Sequence, residues 1–369
     1  MKPRLLKIVN VVGARPNFMK IAPLIRAMNN RKDCIEHILV HTGQHYDKSM
    51  SDDFFIQLEI PEPDINLGIG SASHAEQTAL IMMAFEKVLL QHKPDLIVVV
   101  GDVNSTIACS LVAAKLGIRV AHVEAGLRSF DRTMPEEINR ILTDAISDLL
   151  FTTEESANEN LRKEGLPEYK VHFVGNVMID NLVYCLNKIQ NLGLSFSDLK
   201  ENEYALITLH RPSNVDDPKI LMRILNAFGE ISTKIKLVIP LHPRTQKNIE
   251  DFGLAKQMQA IAENAIITGP IGYLEMLRLM KTAKLVITDS GGLQEETTYL
   301  GIPCITMREN TERPSTITLG TNILVGNDMD TLLSNAGQVI SNYHKHGEIP
   351  PLWDGMASVR IINQLIANS

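Results

Sequence analysis

Carboxylates recur at positions where predicted strands end, and their spacing could support acid/base chemistry. Asp102 and Glu124 each follow a short apolar run, and Glu136 opens a segment of helical character after Pro135. Carboxylates held near one another can share proton transfer, one as acid and one as base. The alternative is that Asp102 and Glu124 only cap structural elements. For Glu136, the alternative is an intrahelical ion pair with Arg140, four residues further on.

Two cations follow the first predicted strand. Arg15 and Lys20 could converge on a pyrophosphate or on a leaving-group oxygen, although each could equally be a surface cation. The segment begins Gly13-Ala-Arg-Pro, which matches neither the dinucleotide pattern G-x-G-x-x-G nor the P-loop pattern. Phosphate binding by this segment is therefore not supported by either of these two sequence patterns.

A glycine-rich loop follows another apolar run in the second half of the chain. Its sequence is Asp289-Ser290-Gly291-Gly292, and a helix is predicted from Leu293. Glycines let a backbone approach a ligand, and free N–H groups at a helix N-terminus attract phosphate. Glu296 lies one turn into the helix and could accept hydrogen bonds from a ribose diol. The alternatives are an ordinary N-capped helix and a solvated first-turn carboxylate.

Two patterns that could suggest a metal do not fit one. Histidines stand at positions 37, 41 and 45, but His37 and His41 fall in a predicted strand, and ligands four residues apart share a face only in a helix. Asp328-Met-Asp330 has the D-x-D spacing of metal-dependent transferases but precedes a predicted helix as a turn and cap. We predict no metal site, and the hydrolase patterns G-x-S-x-G and H-E-x-x-H do not occur.

These positions need a scaffold of alternating strands and helices. Short β-rich runs alternate with helical patterns along the chain, which is typical of parallel sheets covered by helices. The first series of predicted strands comprises 5–12, 38–42, 96–100, 120–123, 149–152 and 171–174. The second series comprises 205–209, 236–239, 265–268, 285–288, 304–307 and 322–325. One predicted helix, 76–91, has apolar residues at helical spacing, namely Ala79, Leu80, Met83, Val88 and Leu90.

Two consecutive series predict an α/β protein with two doubly wound, Rossmann-like domains facing each other across a cleft. We expect the first domain to cover 1–175 and the second to cover 176–355. Ligands of such sheets bind beyond the carboxyl ends of the strands, where the polar segments stand. The length of 369 residues is sufficient for two domains.

Composition excludes several classes of function. The chain carries 36 Lys and Arg against 43 Asp and Glu, a net charge of −7, so it lacks the positive field that duplex binding needs. Its apolar stretches are strand-sized, far below the roughly 18 residues that span a bilayer. The basic N-terminus reaches Gly13 without a cleavage site, so a first strand is predicted rather than a signal peptide. The widely spaced cysteines favour a reduced, cytoplasmic protein; they are Cys34, Cys109, Cys185 and Cys304.

The polar segments taken in order resemble a known family. The motifs are Gly13-x-Arg15-Pro-x-x-x-Lys20, Gly101-Asp102, His122-Val-Glu124-Ala-Gly-Leu-Arg128, Pro135-Glu136-Glu137-x-Asn139-Arg140, Thr288-Asp289-Ser290-Gly291-Gly292-x-Gln294-Glu295-Glu296, and Arg308 with Thr311-Glu312-Arg313-Pro314. From end to end, the chain resembles the non-hydrolysing UDP-N-acetylglucosamine 2-epimerases, which have the GT-B fold. The resemblance implies a C-terminal helix, within 356–369, that packs back on the first domain.

The resemblance also implies roles for individual residues. The implied nucleotide and phosphate ligands are Arg15, His210, Ser290, Gly291, Gly292, Glu296 and Arg313. The residues implied to line the reacting sugar are Lys20, Asp102, Glu124, Glu136, Arg140 and His210. The implied partner is a UDP-sugar, with no metal or redox cofactor, and the implied assembly is a homodimer acting in cell-surface polysaccharide biosynthesis.

The chain departs from many bacterial members at several places. It has His210-Arg211-Pro where they have His-Arg-Arg-Glu, Gln44-His45-Tyr46 where they have Gln-His-Arg, and Ile271 and Met276 at positions that often hold the uracil. The loop after Glu124 is also shorter. Some of these segments form an activating second UDP-sugar site in bacterial members, so such a site is not implied here. The variant pattern also fits epimerases of UDP-2,3-diacetamido-glucuronic acid.

The residues permit an elimination mechanism. The hydrogen on C2 of an N-acetylhexosamine becomes acidic enough for removal once the anomeric C–O bond to UDP breaks, and a glycal results. UDP then adds back while a proton reaches the opposite face of C2. This route needs anion stabilisers on the pyrophosphate and carboxylates near C1 and C2. A hydrolysing epimerase, a GT-B glycosyltransferase and a sugar-nucleotide binding protein are the alternatives.

Overall fold

The computed structural model describes residues 4–43, 59, 62–190, 196 and 199–369. The chain divides into two compact units, Met1–Tyr184 with Pro351–Ser369, and Cys185–Pro350. Each unit contains one parallel β-sheet.

The first unit has a seven-stranded sheet in the order β3-β2-β1-β4-β5-β6-β7. The strands are β1 (Leu6–Val12), β2 (Ile35–His41), β3 (Ile65–Asn66), β4 (Leu96–Val100), β5 (Arg119–Ala125), β6 (Leu149–Thr152) and β7 (Val171–Phe173). Strand order reverses between β1 and β4, which lie side by side. This is the topological switch point of a doubly wound sheet, where ligands bind.

Helices connect these strands in the first unit. They are α1 (Arg15–Asn29), α2 (His74–His92), α3 (Asn104–Lys115), α4 (Pro135–Ile146) and α5 (Glu155–Lys163), and a 3₁₀ turn covers Glu168–Lys170. A further helix, α6 (Val177–Ile189), follows β7 and continues past Tyr184 into the second unit. All five residues of β4 are buried, as expected for a central parallel strand made of Leu, Ile and Val. The core beside it is formed by α2, α3 and the sheet; its largest buried members include Ile81, Phe85, Leu89, Ile97 and Val99.

The buried face of α2 is not formed by the apolar residues whose spacing predicted this helix. Of those five residues, only Val88 belongs to the buried set, whereas Leu80, Met83 and Leu90 are 41%, 66% and 57% exposed. The helix instead buries Phe85 and its neighbours. Apolar residues occur on several sides of this helix, so spacing alone could not fix the face.

The second unit has a six-stranded sheet in the order β10-β9-β8-β11-β12-β13. The strands are β8 (Tyr204–Thr208), β9 (Lys236–Pro240), β10 (Ala265–Thr268), β11 (Leu285–Thr288), β12 (Cys304–Thr306) and β13 (Asn322–Leu324). The helices are α7 (Pro212–Val215), α8 (Pro218–Ser232), α9 (Pro243–Asp251), α10 (Ala255–Ala262), α11 (Tyr273–Thr282), α12 (Gly291–Leu300), α13 (Ser315–Thr318) and α14 (Met329–Ile340). The switch point of this sheet lies between β8 and β11.

The last helix, α15 (Ala357–Ala367), belongs to the first unit. The Asp180 carboxylate caps it, accepting the backbone N–H groups of Ala357 at 3.0 Å and Ser358 at 2.7 Å. Just before the helix, the buried Trp353 donates its indole N–H to the carbonyl of Thr153 at 2.9 Å. These contacts fix the C-terminal segment to the first unit.

Every predicted strand is present, with ends that differ by at most three residues. The two-residue strand β3 was not predicted, since so short a run gives no pattern. Within the described ranges, no helix combines the length and apolarity needed to cross a bilayer.

Candidate active site

A buried ion pair lies at the carboxyl end of the first sheet. The Lys20 ammonium, on α1, contacts Oε2 of Glu124, and both side chains are less than 10% exposed. Gly101, directly after β4, makes room for the lysine, because a Cβ there would lie 2.8 Å from Nζ. Lys20 and Glu124 therefore meet at the carboxyl end of the sheet, the end at which doubly wound sheets bind their ligands.

Glu124 has an unusual backbone conformation. It lies inside β5, not after a strand as expected, and the pairing of β5 with β6 shifts register between Val123 and Ala125. Its φ is +71°, in the left-handed region, which costs a non-glycine residue about 1–2 kcal/mol. Such bulges re-aim side chains and concentrate at functional sites. One carboxylate oxygen, Oε1, is buried and has no hydrogen-bond partner within the described part of the chain.

A second carboxylate follows the neighbouring strand. Asp102, after β4, accepts from Arg140 on α4, with Nε at 3.0 Å and Nη2 at 2.7 Å from Oδ2. Arg140 also donates to the buried Glu137 at 2.5 Å. The alternative of a Glu136–Arg140 ion pair is wrong, because the guanidinium turns toward Glu137 and Asp102 instead. Since β4 and β5 pair through Val100 and Val123, the segments that carry Asp102 and Glu124 follow from neighbouring positions at the carboxyl ends of these two strands.

The structure gives less information about Glu136 and Arg15, the other two candidate residues of the first unit. Glu136 is half-buried in the first turn of α4, and its side chain makes no hydrogen bond or ion pair with the described residues. Arg15 begins α1, but its side chain lies outside the described part of the structure. Gln44, His45 and Tyr46 also lie outside the described residues.

The second unit carries an Asp–His pair at its own switch point. His210 follows β8 and Asp289 follows β11, and the imidazole Nδ1 lies 2.8 Å from Oδ1 of the carboxylate. Asp289 is fully buried and also accepts the backbone N–H groups of His210 and Arg211, at 3.0 and 2.8 Å. Although burial opposes it, the hydrogen bond and charge of His210 lower the pKa of Asp289 below its usual value. With Nδ1 engaged and the side chain 40% exposed, the Nε2 atom of His210 is the nitrogen left for a further hydrogen bond.

The helix after Asp289 begins without a side-chain cap. Ser290 is the N-cap of α12, yet no side chain of the described residues makes a cap hydrogen bond there. The alternative of a side-chain-capped helix is therefore wrong. Arg313 lies against this helix start, since a Cβ on Gly291 would be 3.0 Å from its Nη1. Gly292 is the next residue of the helix, so two glycines leave this N-terminus open to an anion.

Buried arginines and glutamates surround that helix start. Arg313 pairs with Glu295 at 2.9 Å and with Glu312 at 2.7 Å, and Glu312 also pairs with Arg308 at 2.8 Å. Burial, together with the charge of Arg308, lowers the pKa of the nearby Arg211. Arg211 was not among the predicted site residues, and its place after β8 beside His210 was the available signal. The cluster therefore places paired guanidinium and carboxylate groups next to the N-terminus of the helix.

Glu296 is buried rather than solvated. Its Oε1 accepts the Tyr273 hydroxyl at 2.7 Å, and only 3% of the residue is exposed. Burial raises the pKa of Glu296 to about 7. The alternative of a solvated first-turn carboxylate is therefore wrong. Met276, in the first turn of α11, is half-buried.

The patterns weighed as metal sites have other structural explanations. Asp328 caps α14 by accepting the N–H groups of Asp330 and Thr331, as the turn-and-cap interpretation predicted. His37 and His41 lie in β2. Among the described residues, no group of three or more His, Cys, Asp or Glu side chains is arranged to hold a metal ion.

Comparison with known proteins decides the family. A sequence model described as UDP-N-acetylglucosamine 2-epimerase matches residues 26–366. The chain belongs to the UDP-N-acetylglucosamine 2-epimerase family. The family predicted from the motifs is thus confirmed, and with it the enzyme class, an isomerase.

Relatives in the family match almost end to end. A UDP-N-acetylglucosamine 2-epimerase of Methanococcus maripaludis is 44% identical over 364 residues, covering 97% of both chains. A UDP-2,3-diacetamido-2,3-dideoxy-D-glucuronate 2-epimerase of Pseudomonas aeruginosa is 44% identical over 335 residues, covering 90% of this chain and 91% of the relative.

The fold matches a solved member of the family. The crystal structure of the Methanocaldococcus jannaschii UDP-GlcNAc 2-epimerase in complex with UDP-GlcNAc and UDP has a TM-score of 0.88 and 42% identity, covering 98% of this chain and 100% of that one. The expected α/β fold class, two Rossmann-like sheets of the GT-B type, is confirmed.

Proposed function

We propose that this member of the epimerase family interconverts UDP-N-acetylglucosamine and UDP-N-acetylmannosamine by anti elimination of UDP and re-addition to a glycal. The observation that carries the proposal is the pair Asp102 and Glu124. These carboxylates leave adjacent, paired strands, and each is fixed by its own cation, Arg140 and Lys20. Two oriented carboxylates are what proton transfer at a carbon next to a developing cation requires.

The nucleotide part of the substrate is assigned to the second unit. The amides at Ser290–Gly292 and the guanidinium of Arg313 suit a pyrophosphate, because helix N-termini and arginines both bind phosphate. His210, oriented by Asp289, can donate from its exposed nitrogen to the departing diphosphate oxygen. Glu296 is assigned to the ribose, with Arg15 as a further phosphate ligand and Met276 beside the base. Stabilising the leaving group in this way favours breakage of the anomeric C–O bond.

The sugar part is assigned to the first unit. As the C1–O bond breaks, the electron pair leaves with UDP, and the cationic C1 acidifies the hydrogen on C2. A carboxylate takes that proton and the C1–C2 double bond of the glycal forms. Glu124 is suited to proton exchange because Oε2 holds Lys20 while Oε1 has no hydrogen-bond partner among the described residues. Asp102, Glu136 and Arg140 complete the set around C1 and C2.

The second half-reaction reverses the first from the other face. A proton is delivered to C2 opposite to the face that lost one, and UDP re-forms the C1–O bond. No electrons are gained or lost overall, so the chemistry assigned here uses only side chains and backbone N–H groups of this chain.

Other substrates and outcomes remain as alternatives. The Pseudomonas relative is named for a diacetamido-glucuronate sugar, and its 44% identity equals that of the Methanococcus relative. A hydrolysing epimerase would release UDP and free sugar, and a glycosyltransferase would need an acceptor. We further propose a cytoplasmic homodimer that supplies sugars for cell-surface polysaccharides.

The direct test is incubation of the purified protein with UDP-N-acetylglucosamine, followed by NMR. We expect a mixture of the two epimers with only traces of free UDP. Stoichiometric UDP release would indicate the hydrolysing class. No change in this substrate, with conversion of the diacetamido-glucuronate analogue, would reassign the substrate.

A further inference from the structure

A single buried carboxylate holds the chain on both sides of Glu124. Asp144, on α4, is fully buried. Its Oδ1 lies 2.6 Å from Nδ1 of His122, two residues before Glu124. Its Oδ2 accepts the backbone N–H of Gly126, two residues after Glu124, at 3.0 Å.

The stretch between these two anchors contains the bulge. Residues 122 and 123 pair in register with 150 and 151, but 125 pairs with 152, so Glu124 is the extra residue of β5. Because His122 and Gly126 are both bonded to one buried carboxylate, the extra residue must be accommodated between them. The backbone accommodates it by adopting φ of +71° at Glu124 and +78° at Gly126.

The same carboxylate also reaches the neighbouring strand. The second nitrogen of His122, Nε2, lies 2.9 Å from the carbonyl of Gly101, the residue before Asp102. Asp144 is thus linked to the segments that carry both carboxylates of the proposed reaction. Its charge is balanced locally, since Arg128 lies 2.8 Å away from Oδ2.

We propose that Asp144 is a positioning residue that enforces the bulge at Glu124 and so aims its carboxylate at the substrate. The effect on catalysis rests on the proposed function, whereas the effect of Asp144 on the backbone at Glu124 does not. Without Asp144, the strand can return to regular register and turn the Glu124 side chain away.

The experiment compares Asp144→Ala with a matched control, Glu164→Gln. Glu164 binds the same arginine, with Oε2 2.6 Å from Nη2 of Arg128, but contacts neither His122 nor Gly126 in the described structure. An alanine removes both anchors, whereas an asparagine could keep them by accepting from Gly126 and donating to Nδ1 of a neutral His122. We expect kcat to fall about 10- to 100-fold in Asp144→Ala, as for a reacting group misplaced by about 1 Å, with KM within about threefold of wild type. Glu164→Gln should stay near wild type.

An isotope effect separates positioning from general damage. With the substrate deuterated at C2, the isotope effect on kcat should rise in Asp144→Ala, because proton transfer becomes slower than the other steps. Folding is checked by the thermal shift with UDP, whose proposed ligands other than Arg15 are in the other unit. If Asp144→Ala does not fold, His122→Gln, which keeps the bonds of Asp144 to Gly126 and Arg128, is measured against the same criteria. Unchanged kcat and isotope effect in the folded variant would overturn the proposal.

A crystal structure of the variant decides the structural half without any activity. We expect β5 in regular register, with Glu124 at negative φ. A retained bulge with φ near +71° would refute the role of Asp144, whatever the enzyme's substrate. An inactive wild-type protein would instead refute the proposed function, so the two failures are distinguishable.

Discussion

The imidazole of His210 and the carboxylate of Asp289 extend from neighbouring strands of the second sheet, with 2.8 Å between Nδ1 and Oδ1. Because Asp289 also binds two backbone N–H groups of the segment after β8, it joins the two strands of the switch point. One carboxylate therefore orients a partly exposed imidazole and stabilises the loop that carries it.

This relationship predicts a pH dependence of stability. The pKa of Asp289 is lowered in the folded state, so its stabilisation is complete above the ordinary value of 3.8 and is lost as the pH falls through the folded-state value. Asp289→Asn should lower the free energy of unfolding at pH 7 by about 2 kcal/mol or more. Its stability should also fall less steeply than that of wild type below about pH 4. Urea unfolding between pH 3 and 7 measures this, and the exposed Asp251→Asn should follow wild type.

Each of the three carboxylates proposed to act on the sugar can be tested by its own substitution. Asp102→Asn, Glu124→Gln and Glu136→Gln should each lower turnover by roughly 100- to 10,000-fold, the range for lost acid/base assistance. Steady-state kinetics with UDP-N-acetylglucosamine measures it, and the exposed Glu86→Gln on α2 is the control. Any of the three variants with near wild-type turnover would remove that residue from the mechanism.

The nucleotide assignment predicts thermal protection. UDP should raise the melting temperature in proportion to RT ln(1 + [L]/Kd), and UMP should raise it less because it lacks the second phosphate. Ser290→Ala and Arg313→Ala should reduce the shift. Ser290→Ala should do so with little loss of stability, because its side chain makes no cap hydrogen bond. Arg278→Ala, which removes an exposed pair with Glu201 in the same unit, should leave the UDP shift intact.

Glu296 is predicted to weaken the fold at neutral pH. Its pKa rises from 4.5 to about 7 on folding, so stability declines as the pH rises from 4.5 to about 7. Glu296→Gln should remove that decline and raise the free energy of unfolding at pH 8 by up to about 3 kcal/mol. The same variant should bind UDP more weakly. Thermal unfolding with and without UDP from pH 4 to 8 tests both effects, and a variant less stable than wild type at pH 8 would contradict the first.

The strands could be predicted from sequence because they are local features. Buried parallel strands such as β4 consist of consecutive β-branched and aliphatic residues, and their carboxyl ends carry the polar segments. The buried face of α2 could not be predicted, because Leu80 and Met83 are apolar yet exposed. Which apolar face is covered depends on the sheet, not on the helix.

The candidate site could be predicted by residue but not by pairing. Glu124 and Arg140 were both identified, yet the bulge at Glu124 and the pairing of Arg140 with Asp102 depend on contacts between segments distant in sequence. Glu296 had the same limit, because the Tyr273 hydroxyl that binds it comes from another helix. Packing between distant segments sets these pairings, and the spacing of residues along the sequence does not predict it.

The most direct test of the proposed chemistry is the fate of the C2 hydrogen in D₂O. Elimination gives the C2 proton to a carboxylate, where it exchanges with solvent before re-addition. We expect UDP-N-acetylmannosamine and recovered UDP-N-acetylglucosamine to carry deuterium at C2, observed by NMR and mass spectrometry. An epimerised product that retains protium fully at C2 would contradict the elimination mechanism.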